Sequence, residues 1–201
     1  MLLHLLAGAS TRPYFVAVAA TSNAVNGDTL TIDKPTGTGQ NDLMIAFMGN
    51  VEGPTRTWTG DTDWTEVMDS TGVRVAYKVA GASEGSSYTF TASGDAALSG
   101  CILTYRSAAY DTIGALSARA DPTVAPSITS AGGILLAFFI VDDASRTFSA
   151  PVWMTLVVSD TDASTPSLAA FSQPIGVEAT GTRSSSCGET GYGVLVSIKN
   201  A

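Results

Sequence analysis

The chain has 201 residues, 45% of them apolar and 14% charged, with 20 glycines and a net charge of −8. Its length and apolar content suit a packed core, while an acidic balance with ten scattered Lys and Arg argues against direct nucleic-acid binding, which rests on clustered basic residues. No apolar run approaches the roughly 18 residues of a membrane-spanning helix, and two cysteines, Cys101 and Cys187, make no disulfide framework.

The opening stretch MLLHLLAGASTRPYF is a poor secretory leader. No Lys or Arg precedes Leu2, Leu3, Leu5 and Leu6, His4 interrupts them, and the first basic residue, Arg12, follows the run. So short a segment does not hold a helix alone, yet burying four leucines offsets the entropy of fixing it. Residues 1–13 are therefore expected to be an apolar arm that docks through Leu2, Leu3, Leu5 and Leu6 on a neighbouring subunit or the shell beneath it, the alternative being an arm folded back over its own sandwich. Pro13 has no N–H for a sheet, so the first strand should begin near Tyr14.

Two apolar runs then set the architecture, DLMIAFMGN from Asp42 and GILLAFFIVDD from Gly133. Leu43, Ile45 and Phe47 of the first fall on Ile134, Leu136 and Phe138 of the second, and the likeness continues downstream. Thr55–Trp58 matches Ser145–Phe148, WTEVMDS from Trp64 is echoed by WMTLVVSD from Trp153, VAYKVAG from Val75 by AAFSQPIG from Ala169, and GCILTYR from Gly100 by GVLVSIK from Gly193. The pattern is a diverged internal duplication of roughly 28–105 and 121–198.

Alternation of Val73, Val75, Tyr77 and Val79, and of Tyr88 and Phe90, with polar residues marks strands with one wet face, and turn residues punctuate the chain at about ten-residue spacing. The predicted fold is all-β: one two-sheet, jelly-roll-like β-sandwich over 14–201 with a pseudo-twofold duplication, the alternative being two tandem immunoglobulin-like domains. The runs at Leu43 and Ile134 are apolar on both sides, so their second faces need a cover. Met44, Met48, Leu135 and Phe139 on those faces are the expected oligomer face, with a trimer the expected state.

Candidate chemistry is sparse. The lone histidine, His4, excludes an ordinary Ser-His-Asp or Cys-His centre unless the arm folds into a pocket. Glu52, Glu66, Asp69 and Glu84 are scattered candidates for a glycosidase pair, with solvated surface the simpler reading. Asp61 and Asp63, echoed by Asp160 and Asp162, have the spacing that opens a calcium loop, but its Gly and distal Glu are missing; they and Asp142-Asp143 read as turn residues. No metal or cofactor is expected. Trp58, Trp64 and Trp153 are candidates for a sugar-stacking platform, but a Trp matched in both copies, as Trp64 and Trp153 are here, reads as core. Cys101, opposite Val194, reads as a small apolar core residue, and both thiols as free.

The run PTGTGQNDLMIAF, then DWTEVMDS, AYKVAGASEGSSYTFTAS and GCILTYR, resembles a β-sandwich module of tailed-bacteriophage virion proteins and some bacterial surface proteins. Its pattern is an acidic residue before an apolar strand, a Trp-Thr step, a Tyr-Lys-Val-Ala step with a following Glu, and a Tyr-Thr-Phe strand. The second copy departs from it at Gly133, where the acidic residue is lost, and at Phe171-Ser172 in place of Tyr-Lys. The resemblance implies a non-enzymatic head-decoration or tail-adornment role in the virion, with a capsid or tail protein as partner and no catalytic residues. A carbohydrate-binding, lectin-like module on a tail or cell surface is the alternative.

Overall fold

Residues that alternate apolar and polar, or are apolar throughout, form strands along the whole described chain. In this computed structural model, which describes residues 12–50, 56–59, 63–161 and 166–201 without the side chains of 22–26, every regular element is a β-strand. The first half holds β1 (Tyr14–Asp33), β2 (Leu43–Gly49), β3 (Trp58–Thr59), β4 (Thr65–Ser70), β5 (Val73–Val79) and β6 (Ser87–Arg106). The second holds β7 (Ala108–Ile113), β8 (Thr123–Ala125), β9 (Thr129–Val141), β10 (Thr155–Asp160), β11 (Ser167–Ala179), β12 (Arg183–Ser185) and β13 (Gly191–Asn200). As expected of Pro13, β1 starts at Tyr14. Leu2, Leu3, Leu5, Leu6 and His4 lie outside the described residues.

Each half makes its own antiparallel sheet. The six-stranded sheet runs β1-β6-β2-β5-β4 with β3 added to β6, and the five-stranded sheet runs β10-β11-β9-β13-β7, while β8 and β12 pair separately. One pairing scheme is used twice, with β7, β9, β10, β11 and β13 standing where β1, β2, β4, β5 and β6 stand. Register repeats too: Leu43 lies between Val79 and Tyr105, Ile134 between Pro174 and Ile198, and Phe47 and Phe138 are placed alike. A bulge between Glu66 and Met68 returns between Leu156 and Val158, and one between Phe15 and Ala17 returns between the partners Tyr110 and Thr112. The repeating unit thus includes β1 and β7, and is longer than the sequence match.

The sandwich and its duplication agree with the sequence reading, but each sheet is wound from one half of the chain and strands do not alternate between sheets as in a jelly roll. Two tandem immunoglobulin-like domains are ruled out, because the halves share one core. Leu43, Ile45, Phe47, Leu103 and Tyr105 of the first sheet pack on Leu136, Phe138, Ile140, Val194 and Ile198 of the second. Phe47 and Phe138, equivalent in the duplication, stack with ring centroids 4.8 Å apart, which puts the pseudo-twofold axis close to this pair.

The outer faces are where the expected oligomer surface fails. Met44 and Met48 are fully buried beneath Leu30, Ile32, Tyr88 and Phe90 with Trp58 and Trp64. Leu135 and Phe139 are equally buried beneath Ala125, Ile128, Phe148 and Met154. The cause is strand length. β1 and β6 each run 20 residues, and past irregularities between Asn23 and Thr29 their paired far ends fold over the sheet; in the second half the cover comes from Ala125 of β8 and from Ile128, Phe148 and Met154 outside the strands. Two equivalent glycines make room for these covers: a Cβ on Gly100 would press on Leu30, Ile32 and Met48, and one on Gly193 on Phe139 and Thr123.

Candidate functional site

The acidic residue before β2 forms a clamp. Asp42 Oδ1 accepts from Arg106 Nε at 2.8 Å, and Oδ2 accepts from Arg106 Nη2 at 2.8 Å and from Gly39 N at 2.8 Å. The fork geometry is a strong form of ion pair, and the bond from Arg106 holds the buried carboxyl below its ordinary value. It pins the turn before β2 to the end of β6. In the second half Gly133 stands at this place with φ +138°, where a Cβ would strike the Ile198 carbonyl, and Lys199 pairs with Asp111 at 3.7 Å. The lost acidic residue is thus replaced by a close backbone approach.

The Tyr-Lys-Val-Ala step with its following Glu makes a second clamp. Glu84 Oε2 lies 3.0 Å from Lys78 Nζ and accepts from Tyr88 Oη at 2.9 Å, while Oε1 accepts from Gly81 N at 2.6 Å. Burial by itself would raise this carboxyl, but the bonds from Gly81, Lys78 and Tyr88 outweigh it and leave the group below its ordinary value. Burial likewise acts to lower Lys78, and bonding to Glu84 and Asp63 reverses the sign and raises it. An open groove of about 740 Å³ runs beside the clamp, lined by Asp63, Tyr77, Ser83 and Ser87 among others. With three donors on it, Glu84 has the geometry of a strut and not of a free general base.

The other carboxylate candidates are similarly engaged. Glu66 pairs with Arg74 at 3.1 Å, whose guanidinium lies over the Phe90 ring. Asp69 accepts from the backbone N–H of Trp58 at 2.9 Å. Asp142 pairs with Arg119 at 3.2 Å, and Asp143 with Arg146, which also reaches Glu189 at 2.9 Å. Glu52, Asp61 and Asp162 fall outside the described residues, and no group of three or more metal-ligating side chains occurs among the described ones. Cys101 and Cys187 are free thiols; burial raises Cys101 far above its ordinary value and Cys187 to a lesser extent.

The tryptophans bring the clearest correction. Trp58 and Trp64 are core, but Trp153 is 85% exposed. Thr155 pairs with Ser172 as Thr65 pairs with Tyr77, and Ser172 and Tyr77 meet Leu136 and Ile45. The partner of Trp64 in the second copy is therefore Met154, buried in the matching place, and Trp153 corresponds to Asp63. The equation of Tyr77 with Phe171 is off by the same single residue. A one-residue slip moves a side chain to the opposite face, so Tyr77 packs toward the inter-sheet core while Phe171 lies in the outer one.

Trp153 sits third in a turn closed by Met154 N donating to Pro151 O at 3.0 Å, with φ +70°. Glycine or asparagine ordinarily takes that position. Val152 beside it is 70% exposed and Leu156 51%. Sequence matching missed this display because Trp64 and Trp153 share a neighbourhood of similar letters; the register of β10 on β11 is what separates them.

No protein-family model matches the chain, and neither a curated protein nor a solved structure does.

Proposed function

We propose that the chain is a non-enzymatic structural module of a virion, a β-sandwich carried on a phage capsid or tail surface. The observation that carries this reading is the use made of the motif residues. Asp42, Arg106, Lys78, Glu84 and Tyr88, the polar positions of the resemblance, are bonded to one another and to turn backbone, so the motif specifies a rigid sandwich and leaves no free acid–base pair. The carbohydrate-binding alternative keeps one exposed indole, Trp153, since Trp58 and Trp64 are internal. A capsid or tail protein is the partner this reading calls for, with neither nucleic acid nor membrane. The expected trimer loses its original basis, the faces of Met44, Met48, Leu135 and Phe139 being covered by the chain itself.

The test is compositional. Virions purified from a phage carrying this gene are expected to contain the chain in many copies and to bind antibody against it on intact particles under electron microscopy. Absence from purified particles overturns the reading, and specific binding on a glycan array that is lost with Trp153→Ala favours the alternative.

A further inference from the structure

The two sheets are joined covalently at one place. Strands β1 to β6, residues 14–106, make the first sheet, and the second is built from strands between residues 108 and 200, so the chain passes from one sheet to the other once, at Ser107. In a sandwich whose strands alternate between sheets the halves are interleaved and cannot part without unravelling both. Here each sheet is paired within itself and meets the other across the core of Phe47, Phe138 and their neighbours. Each half thus carries an inner apolar face that needs the other half, and nothing in the strand pairing requires that half to come from the same chain.

Ser107 has no slack. β6 ends at Arg106 and β7 begins at Ala108, and the one residue between them holds φ +55°. Left-handed backbone costs a serine conformational energy that glycine escapes. Asn41, Thr71, Ser145 and Trp153 share the feature, but each lies on a connection that stays within one half; among the described non-glycine residues Ser107 alone has it between the halves. On either side the chain is fixed to its own half, Arg106 by its bonds to Asp42 and Ala108 by its pairing with Asn200. The strain is confined to the residue that links them.

We infer that Ser107 is a hinge through which two copies of the chain exchange halves, the first sheet of each closing on the second sheet of the other. Every contact within a half and between halves is then kept, twice over, and Ser107 relaxes from left-handed to extended backbone as β6 runs on into β7. Short connections under strain favour exchange for this reason. Closure within one chain has the opposing advantage that its halves are held at high effective concentration, so the exchanged dimer gains as chains fold at higher concentration. No outer surface takes part, because the face that a second copy covers is the one the chain itself covers in the monomer. The inference stands whether or not the sandwich belongs to a virion.

Refolding the full chain from urea at two concentrations a hundredfold apart, followed by sedimentation velocity, tests it. The dimer fraction is expected to rise with the refolding concentration and to persist on dilution, because exchanged halves part only by unfolding. Tagged and untagged dimers mixed after folding should form no mixed dimer, whereas the same chains refolded together should. Ser107→Gly, at ease with a positive φ, is expected to lower the dimer fraction, and Ser107→Val, which resists it, to raise it. A parent that refolds only to monomer, dimers that trade subunits without unfolding, or a dimer fraction that neither falls with Ser107→Gly nor rises with Ser107→Val overturns the inference.

Discussion

Asp42 and Glu84 show how single carboxylates tie this chain to a pH range. Both are held below their ordinary values of 3.8 and 4.5, so each binds a proton more readily unfolded than folded. Their contribution to stability is complete above those values and is lost as pH falls through the lower folded ones. The melting midpoint is accordingly expected to decline below about pH 4.5, and Asp42→Asn to flatten that decline while lowering the midpoint at neutral pH. Thermal melts of both proteins from neutral to acid pH check this. Lys78 has the opposite sign: raised above 10.5, it contributes fully below that value and is lost at higher pH. The tryptophans give a second contrast. Trp64→Ala removes a core ring packed edge-on against Tyr88 and Phe90 and is expected to cost about 3–5 kcal/mol. Trp153→Ala leaves no cavity, and an exposed change of this kind is expected to fall within about 0.5 kcal/mol; urea denaturation of both variants measures the difference.

Elements in this chain are decided by register more than by propensity. The single-residue bulges between Glu66 and Met68 and between Leu156 and Val158 set which side chains of the edge strands face the core. Pairing of Thr65 with Tyr77 and of Thr155 with Ser172, which the letters do not reveal, is what sets Met154 and not Trp153 opposite Trp64. The long strands β1 and β6 illustrate the same point on a larger scale, because a ribbon longer than its sheet folds over it and buries Met44 and Met48 in an internal second layer. Gly100 is the hinge of that packing. Gly100→Val is expected to destabilise by about 1–3 kcal/mol through overpacking against Leu30 and Ile32, seen as a lower urea midpoint. Greater exposure of the ribbon in hydrogen exchange should accompany it.

At the scale of the molecule, the two sheets share the core centred on Phe47 and Phe138, so neither half has a complete core without the other. Residues 14–106 and 107–201 expressed separately are expected to show no cooperative thermal transition, and to regain one when mixed. A cooperative melt of either fragment alone would mean that its outer layer suffices as a core. Residues 2–12 have a separate expectation attached to them as a tether: a chain lacking them should melt almost as the parent does yet fail to join the particle, measured by its content in purified virions.

The sequence by itself determined the class and the internal copying. Period-two alternation at Val73–Val79 and Tyr88–Thr91, and the match of Leu43, Ile45 and Phe47 with Ile134, Leu136 and Phe138, are local and survive divergence because each of these residues fills the same place in a sheet. It also marked Asp42, Lys78 and Glu84 as positions of a pattern, though not that they close on Arg106, Gly81 and Tyr88. Tertiary structure alone decided what covers each apolar face and which letters of the two copies correspond. Both depend on which residues pair across neighbouring strands and how far a ribbon reaches before it turns back, which are properties of pairing between distant strands and leave little trace in the residues of either strand alone.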